Sequence, residues 1–294
     1  MRFRRPRITA LDGILALALL AGAFWLFYRI HVQLNYRWNW GAIPRYLFRY
    51  DAERGRWVAN LLMQGFFTTI RLSFWSTLLA LVFGTIMGFF RTGRGLLNRM
   101  VGGAYVELIR NLPPLVLVFL FYFFVSGQIM PMLGIETFVR GRSETTQRVL
   151  AVLFASPGRF SEFLSAVVSL ALFEGAYITE IVRAGIQSME RGQWEASAAL
   201  GFSRWAQMRH IILPQAFQRI LPALAGQFIS TIKDSSIVSI ISVQELTFQG
   251  MELMAATYLT FEIWITVTVL YLVLTLSCSL AVERLEIRMR RGRG

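Results

Sequence analysis

Cysteine, lysine and histidine are almost missing from this chain, and each shortage removes a class of chemistry. The lone Cys278 sits inside an apolar run, so neither a disulfide nor a thiolate metal site is available. The two histidines, His31 and His210, fall on opposite predicted sides of a membrane and cannot share a site. A zinc centre would want clustered His, Cys or carboxylates, so no metal is expected. Lys233 is the single lysine. A nucleotide-binding loop of the Gly-x4-Gly-Lys-Ser/Thr kind needs lysine directly after glycine, whereas Lys233 follows Ile232. If ATP is used, another chain binds it. No glycine-flanked serine nucleophile with a nearby histidine base is present, which argues against an enzyme. Long polar linkers and internal repeats are missing too, so a single membrane domain is expected.

Acidic residues are also scarce: 17 against 30 Lys and Arg, a net charge of +13. In a soluble protein that excess points to nucleic acid. At the ends of long apolar runs it orients a membrane protein instead, so nucleic acid is not an expected partner.

What is present is apolar bulk. Hydrophobic residues make up 55% of the chain and lie in blocks near the roughly 20 residues that cross a bilayer as a helix. Six blocks qualify: 11–30, 68–90, 107–127, 163–185, 220–242 and 259–282. The expected class is an all-α integral membrane protein with about six transmembrane helices. The first block follows a basic start (Arg2, Arg4, Arg5, Arg7), but no small-x-small cleavage site follows its end at Phe24-Trp25-Leu26-Phe27-Tyr28. It reads as a retained span, with Trp25 and Tyr28 as interface anchors. Segment 31–67 carries Trp38, Trp40, Tyr46, Tyr50 and Trp57 and suits a stretch lying along the interface. With the N-terminus inside, arginines of the inner segments, among them Arg91, Arg94, Arg191, Arg204, Arg284 and Arg293, outnumber those outside. Both termini are then cytoplasmic.

Polar residues inside the spans carry the functional candidates. The third block opens Glu107-Leu-Ile-Arg110-Asn111-Leu112-Pro113-Pro114, and paired prolines remove two backbone donors. Loop 128–162 is longer than a turn needs and reads either as a surface for an external partner or as disorder. Glu174 has no partner nearby in sequence, and a lone carboxylate in hydrocarbon costs about 2.5–3.5 kcal/mol. It either pairs with another buried group for structure, lines the route of a polar solute, or is a silent protonated acid. Glu180 and Arg183, three residues apart, can pair on one helix face. Lys233-Asp234-Ser235-Ser236, with Gln227, Ser230, Thr231 and Ser239, is too polar to face lipid. Lys233 and Asp234 point about 100° apart on a helix, so each needs a partner elsewhere or a break in the helix. That patch reads as a bundle interface or a translocation path.

Between the fourth and fifth blocks lies the most informative stretch. Residues 191–200 suit a short helix with small Ala196, Ser197, Ala198 and Ala199 along one side. Gly201 is placed to end it in a left-handed conformation. Residues 202–212 suit a second short helix, and Pro214 makes continuing it costly. A membrane protein has little internal use for an exposed helix–turn–helix, so this one reads as a lever offered to a soluble partner.

The pattern Glu195-Ala196-Ser197, three residues, Gly201, nine residues, Ile211, one residue, Leu213-Pro214 resembles the signature loop of permease subunits of ABC importers, E-A-A-x3-G-x9-I-x-L-P. Only Ser197 departs from it. Flanking segments resemble the polar amino acid branch. They are Glu107-Leu-Ile-Arg110-Asn111-x-Pro113, Ala176-Tyr177-Ile178-Thr179-Glu180-Ile181-Val182-Arg183-x-Gly185, Gly192-Gln193-Trp194-Glu195-Ala196, Leu213-Pro214-Gln215-Ala216 and Lys233-Asp234-Ser235-Ser236. Leu112 and Pro114 depart from the usual Thr-Pro-Leu order. The likeness covers about residues 60–285; residues 1–59 and loop 128–160 lie outside it.

The resemblance implies a type I importer of the bacterial inner membrane. Its permease core has five helices, here preceded by an added N-terminal one. Residues 1–59 would then form an N-terminal helix and external segment, 60–285 the permease domain and 286–294 a basic tail. The implied partners are two ATPase subunits that use ATP and Mg, a second permease identical or related to this one, and a periplasmic or extracellular amino acid-binding protein. The 195–201 helix would sit in an ATPase cleft, and Glu195, Ala196, Ser197, Gly201, Ile211, Leu213 and Pro214 would form the coupling element. A polar amino acid would pass near Glu174, Gln227, Lys233 and Asp234, with Glu180 and Arg183 as a structural pair. Two other classes make different demands. An ATP-independent transporter predicts an inverted repeat or a self-sufficient ion pathway, and a membrane enzyme predicts a catalytic cluster at one depth. Neither signature is present.

Overall fold

The computed structural model describes residues 10–33, 36–53, 55–93 and 95–291. Arg2, Arg4, Arg5, Arg7, Arg94 and Arg293, used above to orient the chain, lie outside these. The chain divides into two compact units, residues 1–40 and 41–294. In the first, α1 (Ala10–Gln33) is an apolar helix whose described side chains are exposed, as a lipid-facing helix requires. Arg29 lies 5.4 Å over the Trp25 ring. Trp38 stacks on Trp40 at 5.8 Å.

The second unit opens with α2 (Ile43–Leu47) and an antiparallel hairpin of β1 (Phe48–Asp51) and β2 (Arg56–Ala59). The aromatic segment is thus partly a hairpin rather than a continuous interfacial stretch. Tyr50 pairs with Trp57 across the two strands, the kind of cross-strand aromatic contact that holds a small ribbon. Then α3 (Leu61–Thr92) begins, a helix of 32 residues.

α4 (Leu96–Asn111) turns back along α3, with Gly102 against the Met87 carbonyl and the Arg91 stem. It stops at Leu112, because the residue before a proline avoids helical backbone. The third apolar helix therefore starts at Pro114 and not at Glu107. Pro114 takes the first-turn position, where a missing N–H is harmless. The apolar stretch runs Pro114–Met132 through α5 (Pro114–Phe124), one wide turn (Val125–Ile129) and α6 (Met130–Met132). Loop 128–162 is neither extended nor structureless. It folds into α7 (Ile135–Arg140) and α8 (Glu144–Leu153), the latter capped by Ser143, whose hydroxyl accepts from Thr146 N–H at 3.4 Å.

The centre of the unit is α9 (Phe160–Gln187), packed parallel to α3. Small residues let the two backbones approach. A side chain on Gly84 would meet Ile178 at 2.6 Å, and one on Gly88 would meet Val182 at 2.6 Å. Close approach through small residues is how membrane helices associate where no hydrophobic drive separates lipid from protein.

Beyond α10 (Arg191–Ala199) and α11 (Arg204–Gln207), a wide turn at Met208–Ile212 leads into α12 (Leu213–Asp234). Here Pro214 starts a helix instead of stopping one. The wide turn ends at Leu213, whose N–H reaches the Met208 carbonyl, and Pro214 again falls in a first turn. α12 returns antiparallel along α9. It ends at Asp234, where a tighter turn (Ser235–Ile241) takes over, so the helix breaks at the Lys233-Asp234 pair. α13 (Leu246–Thr257) and α14 (Thr260–Arg291) complete the chain.

By length and apolarity, four stretches suffice to cross a membrane among the described residues: Leu61–Thr92, Pro114–Met132, Pro157–Gln187 and Thr260–Arg284. Ala10–Trp25 is apolar but shorter. α12 is not among them, because Gln215, Gln218, Arg219, Gln227 and Lys233 dilute it.

Candidate coupling hairpin and solute route

α10 ends in a complete left-handed cap. Gly201 has φ +78°. Its N–H reaches the Ala198 carbonyl at 3.0 Å, and the Phe202 N–H reaches the Ser197 carbonyl at 3.2 Å. These two bonds form the Schellman arrangement and satisfy carbonyls the helix end would leave open. A residue with a Cβ is strained at that φ. Ser203 then caps α11 by accepting from Ala206 N–H at 3.3 Å.

The hairpin has two faces. Glu195, Ala196, Ala198, Ala199 and Gly201 are exposed. Glu195 accepts from Arg191 at 2.8 Å on the surface. Ser197, the residue that departs from the signature, points inward and is 1% exposed, its hydroxyl donating to the Trp194 carbonyl at 2.9 Å. The departure is thus hidden from any partner. At the tip, Leu200 is 75% and Trp205 66% exposed, the Trp205 ring carrying the Arg209 guanidinium at 4.9 Å.

The base is anchored. Ile212 is fully buried with Met189, Ala216 and Ile220, and Ile211 and Leu213 pack against the same cluster. Gln207 donates to the Phe202 carbonyl at 3.0 Å. Gln215 bridges to Gln193 at 3.2 Å and to the Ile211 carbonyl at 2.9 Å. Arg219 donates to the Ser188 carbonyl at 2.5 Å, tying α12 to the end of α9. α10 is thereby fastened to α9 and α12 together.

At mid-length, Glu174 on α9 is fully buried and accepts from Gln227 on α12 at 2.6 Å. Its other oxygen, Oε1, has no partner. Thr231 and Asp234 lie near this carboxyl, with the Thr231 hydroxyl donating to the Gln227 carbonyl at 3.0 Å. Glu174, Gln227 and Asp234 thus form one polar cluster between α9 and α12. Lys233 is exposed and neighbours Asp234.

Glu180 makes more than a single-helix pair. Its Oε2 accepts from Arg183 at 2.7 and 3.0 Å, and its Oε1 accepts from Arg91 on α3. Arg183 also donates to Gln187. The carboxyl is the shared anchor of two guanidiniums on two helices. Arg91 escapes sequence reasoning because its partner lies 89 positions away.

Glu245 escapes it as well. This fully buried residue caps α13, accepting from Thr247 N–H at 2.9 Å and Phe248 N–H at 2.8 Å. Tyr271 on α14 donates to it at 2.8 Å and Thr69 on α3 at 3.4 Å. One carboxyl gathers three helices. Glutamate is not a preferred N-cap, so no local rule marks it. Replacing Glu245 with Ala strands two backbone donors and leaves the Tyr271 hydroxyl only its Thr247 contact at 2.9 Å, a loss of about 3 kcal/mol. Thermal unfolding of purified protein should shift down by several degrees, with Glu245→Gln intermediate. An unshifted Glu245→Ala midpoint would show that the cap carries no load.

The chain resembles known proteins over most of its length. The family of binding-protein-dependent transport system inner membrane components matches residues 80–291. The chain is 37% identical over 259 residues to the glutamine transport system permease protein GlnP of Escherichia coli (strain K12), covering 88% of this chain and 99% of that one. It is 33% identical over 233 residues to a probable glutamine ABC transporter permease protein, GlnM, of Bacillus subtilis (strain 168), covering 79% and 95%. A crystal structure of an amino acid ABC transporter with histidines superposes with a TM-score of 0.61 at 31% identity, covering 78% of this chain and 94% of that one.

Proposed function

Because the chain belongs to the family of binding-protein-dependent transport system inner membrane components, as a permease subunit of an amino acid ABC importer, we propose that it moves a polar amino acid inward by alternating access, driven through the 191–214 hairpin by separate ATPase subunits. It is a multi-pass inner membrane protein and a transporter rather than an enzyme.

The observation that carries the proposal is the hairpin itself. Its outer face is small and exposed, its exit is locked by Gly201, and its base is sunk in the α9–α12 core. A short rigid element of this kind passes force to the bundle, whereas a flexible loop would absorb it. Two ATPase subunits use ATP and Mg, and this chain binds neither. A second permease, identical or related, completes the translocation unit, and an external amino acid-binding protein delivers the solute. Both termini lie in the cytoplasm, with Arg191, Arg204 and Arg209 on the same side. Residues 60–285 form the permease domain, preceded by the N-terminal helix and segment of 1–59 and followed by the basic tail.

ATP-driven closure of the ATPase pair pushes α10 and rocks α9 and α12 between two packed states. The solute passes the Glu174–Gln227–Asp234 cluster, where Glu174 Oε1 awaits a donor. A zwitterion needs partners for both charges at low dielectric, and Lys233 serves at the broken end of α12. Glutamine, named in two of the relatives, is the first solute to try.

The test is uptake into proteoliposomes holding the permease, its ATPase and its binding protein. L-[14C]glutamine or another polar amino acid should enter only with ATP and the complete set. Accumulation driven by an ion gradient without the ATPase would overturn the proposal.

A further inference from the structure

The end of the bundle opposite α10 holds a cavity that the route through Glu174 does not use. It measures about 550 Å³ and lies among the starts of α3 and α9, the end of α8 and the segment before α13. That volume falls inside the range of about 300–1,000 Å³ typical of small-molecule sites. Three of its walls carry charge: Arg71, Arg159 and Glu162.

Arg71 stands roughly 15 Å along α3 from its first residue, at 1.5 Å per residue. A lone arginine within an apolar span calls for a functional explanation. Its guanidinium donates to the Phe67 carbonyl at 3.2 Å, the Ala151 carbonyl at 2.8 Å, the Val152 carbonyl at 3.4 Å and the Thr68 hydroxyl at 3.1 Å. All are neutral acceptors, so among the described residues no carboxylate ion pair meets its charge. Holding the end of α8 explains the hydrogen bonds but leaves the charge uncompensated. Arg159 likewise donates to a neutral group, the Gln244 side-chain oxygen.

Gln249 supplies the second, independent observation. It lines the same cavity, is 2% exposed, and its Oε1 has no hydrogen-bond partner. Its Nε2 reaches Gln244 at 3.4 Å, which holds the amide in place. A buried carbonyl oxygen without a partner, on a residue that lines a cavity, is an acceptor lacking its donor.

We propose that this cavity is an outer holding site for a small zwitterion, with Arg71 and Arg159 taking the carboxylate and Gln249 Oε1 with Glu162 taking the ammonium group. The assignment of the ligand as an amino acid rests on the proposed permease reading. Solute released at the outer face rests here before passing to Glu174. Two cations and one acid leave the cavity net positive, which favours the carboxylate end as the anchor. The neutral acceptor Gln249 then sets the orientation.

The test is equilibrium binding of L-[14C]glutamine to the purified permease–ATPase complex in nucleotide-free form, without the binding protein. Saturable binding is expected. Arg159→Gln and Gln249→Leu, neither of which holds α8, should each raise Kd about tenfold or more. The amine lacking the carboxylate and the acid lacking the amino group should both compete poorly. If both variants bind as the parent does, or Glu174→Gln alone abolishes binding, the outer site is overturned while the permease reading stands. If the complete system with ATP and binding protein fails to take up any polar amino acid, the permease reading itself has failed.

Discussion

Glu195→Arg should leave the protein folded and inserted, let ATP hydrolysis continue, and cut ATP-driven uptake at least tenfold. The structural side of this expectation is mild. Glu195 lies on the outer face of α10, and its contact is the exposed pair with Arg191. Exposed pairs contribute about 0–1 kcal/mol, so the unfolding midpoint should barely move. The functional side is severe. A reversed charge on a docking face sets a like-charge or unpaired contact against the partner, and about 1.4 kcal/mol already corresponds to tenfold in binding. Separating hydrolysis from uptake is the informative readout. Unchanged coupling would remove Glu195 from the contact, and a collapsed protein would mean that α10 is an internal strut.

The second large effect belongs to Glu180. Alanine here leaves Arg91 and Arg183 facing each other without the acid they share, their side chains 19% and 30% exposed. Breaking a fully buried pair costs about 3–5 kcal/mol. Partial exposure lowers that to about 2–3 kcal/mol here. Uptake should fall as well, because the Arg91–Glu180 contact ties α3 to α9, against which the base of the hairpin packs. A double-mutant cycle between Arg91→Leu and Glu180→Leu isolates the contact. A coupling of at least about 1 kcal/mol is expected, and a value near zero would show that Arg91 is solvated and the bridge idle.

Local rules read the hairpin well. The capping glycine is set by residues within four positions of it, so nearest-neighbour chemistry determines it; Ser197, expected on one side with Ala196, Ala198 and Ala199, instead faces inward, because successive helical residues turn about 100°. The apolar blocks were legible for the same reason: a membrane helix satisfies its backbone internally and announces itself by length. The misplaced boundaries share one cause. Pro113-Pro114 were placed inside the third span and Pro214 at the end of a helix, yet Pro114 and Pro214 each fall in the first turn of a new helix, where proline is tolerated. The loop at 128–162 folded into helices because Ser143 and Gly134 punctuate it, signals hidden by its overall polarity.

Distance in sequence concealed the rest. Glu174 was legible as a buried acid, but its partner Gln227 lies 53 positions on. Glu245 is drawn into the core by Thr69 and Tyr271, which no window around position 245 contains. Arg71 was visible to the rule that marks Glu174, since both are charges inside apolar blocks. Its carbonyl acceptors at the end of α8 are supplied by tertiary folding alone.

A cysteine at position 199, on the exposed face of α10, tests the motor contact most directly. With Cys278 replaced by Ser, Ala199→Cys should cross-link to the ATPase subunit in membranes, and the yield should change when ATP is added. An Ala199→Cys that reacts with an impermeant maleimide from the outer face of intact cells, or cross-links only within its own chain, would contradict a motor gripping this hairpin from the cytoplasm.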